Sequence, residues 1–404
     1  MPVTNSVLPV YNPAPMKLER GRGVWLFDEQ EADWLDCVAG IATNALGHCH
    51  PRLVAALTEQ AGKLWHVSNA LAIPGQVALA ERLTAASFAD YAFFTNSGAE
   101  SIEAAIKIAR RYHAVGGEPQ RIDVIGFAGS FHGRTYAGIN ASGSTALLDG
   151  FGPRLPGYLQ LSLDDHAAFA EAVARPGTAA VIVEPVQGEG GARALLPEEL
   201  LRLRELTRRH GVLLIHDEVQ CGMGRTGRLF AHQWVEGAEP DIMALAKALG
   251  GGFPVGACLA TAEAARGMVF GSHGSTFGGN PLAMAVAQAA FDEIAQPQLM
   301  AHVEAMSARL REGLEGLRQR HPGVIEAIRG KGLLVGVRLA TPNKAFIVAA
   351  REHRLLLAGG GDNCVRLLPA LVITAEEVDE VIRRFEATCR SVERAGADAA
   401  LVAG

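Results

Sequence analysis

The sequence predicts an α/β protein, with a large domain built on a mostly parallel sheet and a smaller α+β domain at the C-terminal end. Three observations carry that expectation. Short apolar runs alternate with helical-period segments through most of the chain, as in a sheet covered by helices. With 404 residues, 49% of them hydrophobic, and 46 glycines, there is material for two domains and a large core. From about Pro281 the pattern changes to long amphipathic helices separated by short strands.

Residues 1–44 are expected to pack with the small domain. Residues 45–285 are expected to form the large one, with candidate strands at Tyr91 to Thr95, Ile122 to Phe127, Ala180 to Val183, Val212 to Ile215 and Val255 to Ala260. Most end in a polar or Gly-rich corner, where ligands sit at the carboxyl edge of such sheets. Residues 286–404 form the small domain, with a helix from Met300 to Arg320 and strands around Leu333 to Val337 and Val365 to Leu368. The Ala-rich end, Ala395 to Gly404, is expected to fray.

A formal net charge of −6 argues against a general nucleic-acid or anionic-membrane surface. An anionic substrate would need a few local arginines. The six cysteines form no Cys-x-x-Cys pair and read as free thiols of a reducing cytoplasm. No signal-peptide pattern opens the chain, and its apolar runs stop short of 18 residues. The expectation is a soluble cytoplasmic protein.

Lys247 lies in an apolar run that leads into Gly250-Gly-Gly252. Desolvation there lowers the pKa of its amine and leaves a nucleophile able to form a Schiff base. The ordinary alternative is a surface lysine on an amphipathic helix. Asp217 follows the buried run Val212 to Ile215, where a carboxylate needs a cation or donors to meet it; it could also cap the next turn. Gly98 and Ala99 open a strong helix whose buried face is marked by Ile102, Ile106 and Ala109. Their N–H groups suit a phosphate, although an ordinary strand–turn–helix joint would look the same. A Schiff-base lysine and a carboxylate for a pyridinium are together what pyridoxal phosphate requires.

Two patterns mislead. Gly222-Met-Gly-Arg-Thr-Gly227 matches a dinucleotide fingerprint, but no glycine-packed helix start follows it. His48-Cys-His50 lacks further ligands and reads as a turn, so no metal is expected.

Asn96-Ser-Gly-Ala-Glu100, Phe131-His-Gly-Arg-Thr135, Glu184-Pro-Val-Gln-Gly-Glu-Gly-Gly191, Asp217-Glu-Val-Gln220, Ala246-Lys-Ala-Leu-Gly-Gly-Gly252 and Gly274-Ser-Thr-Phe-Gly-Gly-Asn-Pro281 occur in this order. Together they resemble the class III, pyridoxal-phosphate-dependent ω-aminotransferases, over about Tyr11 to Thr374. The resemblance implies a fold-type I architecture with a seven-stranded sheet in the large domain, and a homodimer with shared active sites. It makes Lys247 the Schiff-base lysine and Asp217 the partner of the ring nitrogen. Ser97, Gly98 and Ala99 would hold the phosphate, Phe131 and Val219 the two ring faces, and Gln220 the ring hydroxyl. Thr276 would reach the phosphate bound by the other subunit.

On the substrate side, the resemblance implies that Arg134 grips a distal carboxylate and Arg366 the α-carboxylate of glutamate or 2-oxoglutarate, with Glu189 masking Arg366 in turn. Tyr11, Ile41 and Ser275 complete the expected substrate set. Ile41 stands where free-ornithine enzymes carry a tyrosine, and Gly40-Ile-Ala42 with Asn44-Ala-Leu-Gly-His48 is typical of the branch acting on N2-acetylornithine. Cys37, where that branch more often has a larger apolar residue, is a minor departure. The expected reaction moves the δ-amino group between N2-acetyl-L-ornithine and 2-oxoglutarate, in arginine biosynthesis. The alternatives are succinylornithine, 4-aminobutyrate or free ornithine as donor, or a non-catalytic binding protein on the same fold.

Overall fold

The structure is a computed structural model that describes residues 6–403. Its centre is a seven-stranded sheet in the order Tyr91–Thr95, Gly256–Ala260, Ile242–Leu245, Leu213–Asp217, Thr178–Val183, Asp123–Phe127, Tyr158–Leu161. Gly256–Ala260 runs antiparallel to both neighbours, and the other pairings are parallel. The five strands expected from the sequence are present, Tyr91–Thr95 as expected and the other four with ends shifted by one or two residues. Two were not anticipated. Ile242–Leu245 merges with the apolar run before Lys247, with no turn residue to mark its end, and Tyr158–Leu161 is a short edge strand.

This topology fixes where chemistry can occur. The strands ending at Thr95, Phe127, Val183, Asp217 and Leu245 release their chains at one carboxyl edge, where ligands bind in such sheets. The central strands are buried on both faces, which their continuous Val, Ile, Leu and Ala content permits. The helix Gly98–Val115 covers one face through Ile102, Ile106 and Ala109, all nearly inaccessible. The helix Pro197–Arg209 covers the other through Leu200 and Leu203.

A second, antiparallel sheet orders Ile325–Lys331, Leu334–Leu339, Cys364–Leu367 and Ala358–Gly359. The helices Pro297–Arg320, Asn343–Glu352 and Ala375–Ala403 pack beside it, with Phe346 against Phe385. The N-terminal strands Leu18–Arg22, Trp25–Asp28 and Asp33–Asp36 form a third sheet, which ends on Leu355–Leu356 of the C-terminal part. The helix Ala375–Ala403 extends into the Ala-rich end, and Gly404 lies outside the described residues. Among the described residues, no helix is long and apolar enough to cross a membrane.

The glycine-rich segment 222–227 joins the two parts. A Cβ on Gly224 would lie 2.7 Å from Met300 Cε, and one on Gly332 would lie 2.5 Å from Arg225 O. The buried Arg225 guanidinium donates to the carbonyls of Leu333 and Pro369. These glycines serve close packing, which explains why the fingerprint starts no helix.

His216, on the strand Leu213–Asp217, is fully buried, and neither ring nitrogen has a partner. Burial and the neighbouring His232 push its pKa down to about 3. The unfolded imidazole, titrating near 6.5, binds a proton in mild acid that the folded one refuses. The stabilising contribution is therefore present above pH 6.5 and is lost as pH falls toward 3. Between pH 6 and 4, His216→Leu should flatten the acid loss of stability by about 1.4 kcal/mol per pH unit relative to wild type. Urea titrations of both proteins across that range measure the difference.

Candidate active site

A cavity of about 420 Å³ opens at the carboxyl edge of the seven-stranded sheet. It is lined by the Ser97–Ala99 turn, Phe131 to Arg134, Glu184, Asp217, Val219, Gln220, Lys247 and Gly252 to Val255, among others. Ser97 caps the helix Gly98–Val115, its Oγ accepting from Glu100 N at 3.3 Å. The N–H groups of Gly98 and Ala99, first in the helix, thus remain orphan donors at the cavity wall. Gly98 has no room for a side chain, since a Cβ there would lie 2.6 Å from Val219 Cγ1.

Asp217 ends its strand with 3% exposure. Its Oδ2 lies 2.8 Å from His132 Nδ1, and its Oδ1 accepts from Val219 N at 3.0 Å. His132 Nε2 is buried without a partner. Beside this pair, Glu184 accepts from the backbone N–H of Phe131 (2.8 Å) and of Gly188 (3.1 Å). Burial and the charge of Asp217 push the Glu184 carboxyl up to about 7.

Lys247 follows the strand Ile242–Leu245 with φ of 44°, the left-handed region that a lysine rarely adopts. Such strain concentrates at working sites, where the surroundings enforce it. Burial lowers the pKa of its amine; Glu189, Asp217 and Glu184 pull it back up, and Arg366 adds to the lowering.

Arg366, on the strand Cys364–Leu367, is 2% exposed. Its Nε and Nη2 donate to Gly359 O at 2.9 and 2.7 Å, and its Nη1 donates to Gln220 Oε1 at 3.1 Å. Nη1 also pairs with Glu189 at 2.8 Å, and the Glu189 side chain is 39% exposed. Arg134 is exposed at the mouth, its guanidinium 5.5 Å from the Phe131 ring centroid. Ser275 Oγ accepts from Asn96 Nδ2 at 3.3 Å beside the Ser97 turn. Tyr11 and Thr276 are exposed, and neither they nor Ile41 line the cavity.

The class-III aminotransferase profile matches residues 8–389. The chain belongs to the class-III aminotransferases. Acetylornithine aminotransferase 2 of Caulobacter vibrioides is 60% identical over 95% of both chains. The acetylornithine aminotransferase of Mesorhizobium japonicum is 53% identical over 96% of both. Among solved structures, the N-acetylornithine aminotransferase of Stenotrophomonas maltophilia superposes with a TM-score of 0.84 at 39% identity, covering 95% of this chain and 98% of its own. The ornithine aminotransferase of Toxoplasma gondii superposes with a TM-score of 0.91 at 35% identity, covering 96% and 93%. The fold is therefore fold-type I, and this aminotransferase is a pyridoxal 5′-phosphate enzyme.

The residues present fit that cofactor. The backbone at Gly98 and Ala99 offers donors suited to a phosphate, Phe131 and Val219 line the same cavity, and a buried carboxylate, Asp217, and an amine, Lys247, supply the chemistry that a pyridine nitrogen and an aldehyde require. His132, Glu184 and Thr43 also line the cavity but carried no role in the sequence reading. The signal for His132 and Glu184 was their place within two of the ordered motifs. Gly98→Val should force Val219 aside and weaken pyridoxal 5′-phosphate by about tenfold or more. Equilibrium titration of the apoenzyme, followed by visible absorbance, measures this loss.

Proposed function

We propose that this aminotransferase moves the δ-amino group between N2-acetyl-L-ornithine and 2-oxoglutarate, giving N-acetyl-L-glutamate 5-semialdehyde and L-glutamate, as a step of arginine biosynthesis. The observation that carries this reading is the buried Arg366 held by a half-exposed Glu189 beside the Lys247 cavity. An arginine that can be masked and unmasked lets one site take an ω-amino chain with no carboxylate at its reacting end and a dicarboxylate in turn. The relatives named acetylornithine aminotransferase, at 53% and 60% identity, support the same donor.

Bound here, the cofactor supplies an electron sink for the carbanion formed when the amine-bearing carbon loses its proton. Lys247 would hold it covalently, and the lysine amine would take that proton and return it, a task that its lowered pKa suits. Asp217 keeps the ring nitrogen protonated. Ser97, Gly98 and Ala99 would bind the phosphate, Phe131 and Val219 would hold the two ring faces, and Gln220, whose Oε1 accepts from Arg366 Nη1, would serve the ring hydroxyl. Arg134 takes the carboxylate remote from the reacting carbon, with Ser275, Tyr11 and Ile41 completing the substrate set.

The working unit is a homodimer. Val269, Phe270 and Phe277 leave an apolar surface around the exposed Thr276, which fits a second copy whose cofactor phosphate Thr276 would reach. We further propose that residues 1–44 act with the small domain (286–404) against the cofactor-binding domain (45–285). The enzyme works on small molecules in the cytoplasm, without nucleic-acid or membrane partners.

Lys247→Ala should abolish both turnover and the visible absorbance of the bound cofactor; full activity in that variant would refute the assignment. Half-reaction rates with N2-acetylornithine, N2-succinylornithine, ornithine and 4-aminobutyrate should be highest with the first. A lead for 4-aminobutyrate of about tenfold, or about 1.4 kcal/mol at the transition state, would overturn the donor.

A further inference from the structure

The loop that carries Thr276 is held largely by side-chain amides. Asn69 Nδ2 donates to the carbonyls of Ser275 at 3.0 Å and Gly278 at 3.1 Å, and so spans the two sides of the Thr276–Phe277 tip. Gln76 Nε2 donates to Gly279 O at 2.9 Å and to Asn69 Oδ1 at 2.6 Å, which fixes the plane of the Asn69 amide. Asn280 Nδ2 donates to Phe277 O at 2.9 Å, while its Oδ1 caps the helix Pro281–Ile294. Inside the loop, Ser275 Oγ accepts from Gly278 N at 2.9 Å. Thr276 is exposed at the tip of this framework.

A loop outside helix and sheet keeps one shape only if its backbone groups find other partners. Asn69 supplies two of them from 206 residues earlier in the chain, between the helices Pro51–Ala61 and Pro74–Ala85. It is exposed, so in a single chain water competes for both bonds. Trp65 and Leu71 are exposed close to it in sequence, and the His66 ring lies 5.0 Å from that of Phe277. This apolar surround shares Phe277 with the surface proposed above for a second copy. A copy seated there would exclude water from the Asn69 bonds and strengthen them.

We propose that Asn69 is a positioning residue that acts across the dimer: with Gln76 behind it, it braces the 275–279 loop so that Thr276 meets the cofactor phosphate held by the second copy. The brace rests on the reading of the enzyme as a homodimer with shared sites. Its consequence is directional, because damage at Asn69 weakens cofactor binding in the other subunit. A route to the chain's own site exists, since Asn96 Nδ2 donates to Ser275 Oγ at 3.3 Å beside the Ser97 turn. That route is weak. Glu100 already holds Asn96 at its backbone N–H (2.6 Å) and at Nδ2 (2.9 Å), so the turn does not depend on the loop.

The experiment uses hybrid dimers of two differently tagged chains, one carrying Lys247→Ala, so that the visible absorbance of covalently held cofactor reports a single site. Each hybrid is titrated with pyridoxal 5′-phosphate. With Asn69→Ala on the Lys247→Ala chain, the visible site faces a damaged loop, and its affinity should fall about tenfold. With Asn69→Ala on the other chain, the visible site faces an intact loop, and its affinity should stay within about twofold of the hybrid without Asn69→Ala. Weakening in the second hybrid alone, in both equally, or in neither would overturn the brace. Asn69→Asp keeps the shape of the side chain but sets an acceptor against two carbonyls. On the Lys247→Ala chain it should weaken the visible site at least as much, and unchanged affinity would overturn the brace even if Asn69→Ala fails to assemble. Thr276→Ala on the Lys247→Ala chain tests the reading beneath: no effect would remove the shared site and the brace together. Weakening by Thr276→Ala without weakening by Asn69→Ala would remove the brace alone.

Discussion

A carboxylate sealed at the end of a central strand organises the rest of this site. Asp217 has only His132 and one backbone N–H for company, and burying it would cost several kcal/mol without a cation to complete the balance. Each neighbouring feature answers that constraint. His132 is clamped by Ser142 Oγ at its backbone, which aims the imidazole at Asp217. Glu184 sits close enough to feel the same charge, and its carboxyl titrates near 7. Two adjacent carboxyls in one dry pocket cannot both ionise cheaply. A pyridinium beside Asp217 would relieve that tension.

The same edge carries a second constraint, the coupling of the two domains. Arg225 reaches from the 222–227 loop to the carbonyl of Pro369, three residues beyond Arg366. The guanidinium is buried without a carboxylate, so burial alone lowers its pKa to about 9. The carbonyls of Leu333 and Pro369 both accept from its Nη1 and tie the loop to the small sheet. The pattern that imitates a dinucleotide fingerprint thus packs between the strand that ends at Asp217 and the sheet that carries Arg366.

How much of this was legible depends on whether a residue's role is local. Lys247, Asp217 and Gly98 announce themselves, because each is a chemically costly choice against its immediate neighbours: an amine in an apolar run, a carboxylate after a buried strand, a glycine opening a strong helix. Five of the seven strands were also readable, since an apolar run such as Ala180 to Val183 stands out even though the strand begins two residues earlier, at Thr178. What stayed hidden is set by distance along the chain. The His132 contact with Asp217 spans 85 residues, and the Arg366 contact with Gln220 spans 146. The left-handed turn at residues 39–42 was invisible for another reason: nothing in Ala39-Gly-Ile-Ala42 demands positive φ at three non-glycine positions. Local bonds from the Asp36 carboxylate to Val38 N and Ala39 N hold it.

Arg366 shows how fixed and switchable contacts divide the work under the proposed function. Three of its donor contacts, Nε and Nη2 to Gly359 and Nη1 to Gln220, do not involve Glu189. They hold the guanidinium plane whether or not the glutamate is present. Glu189 adds a single contact from a half-exposed side chain, so its departure exposes charge without disordering the arginine. A surface glutamate loses little on returning to water, whereas a buried arginine left unpaired loses much. The pair is therefore poised for exchange: an incoming carboxylate replaces Glu189 on a guanidinium already oriented to receive it. Charge complementarity comes from the arginine, and reversibility comes from the exposure of its partner.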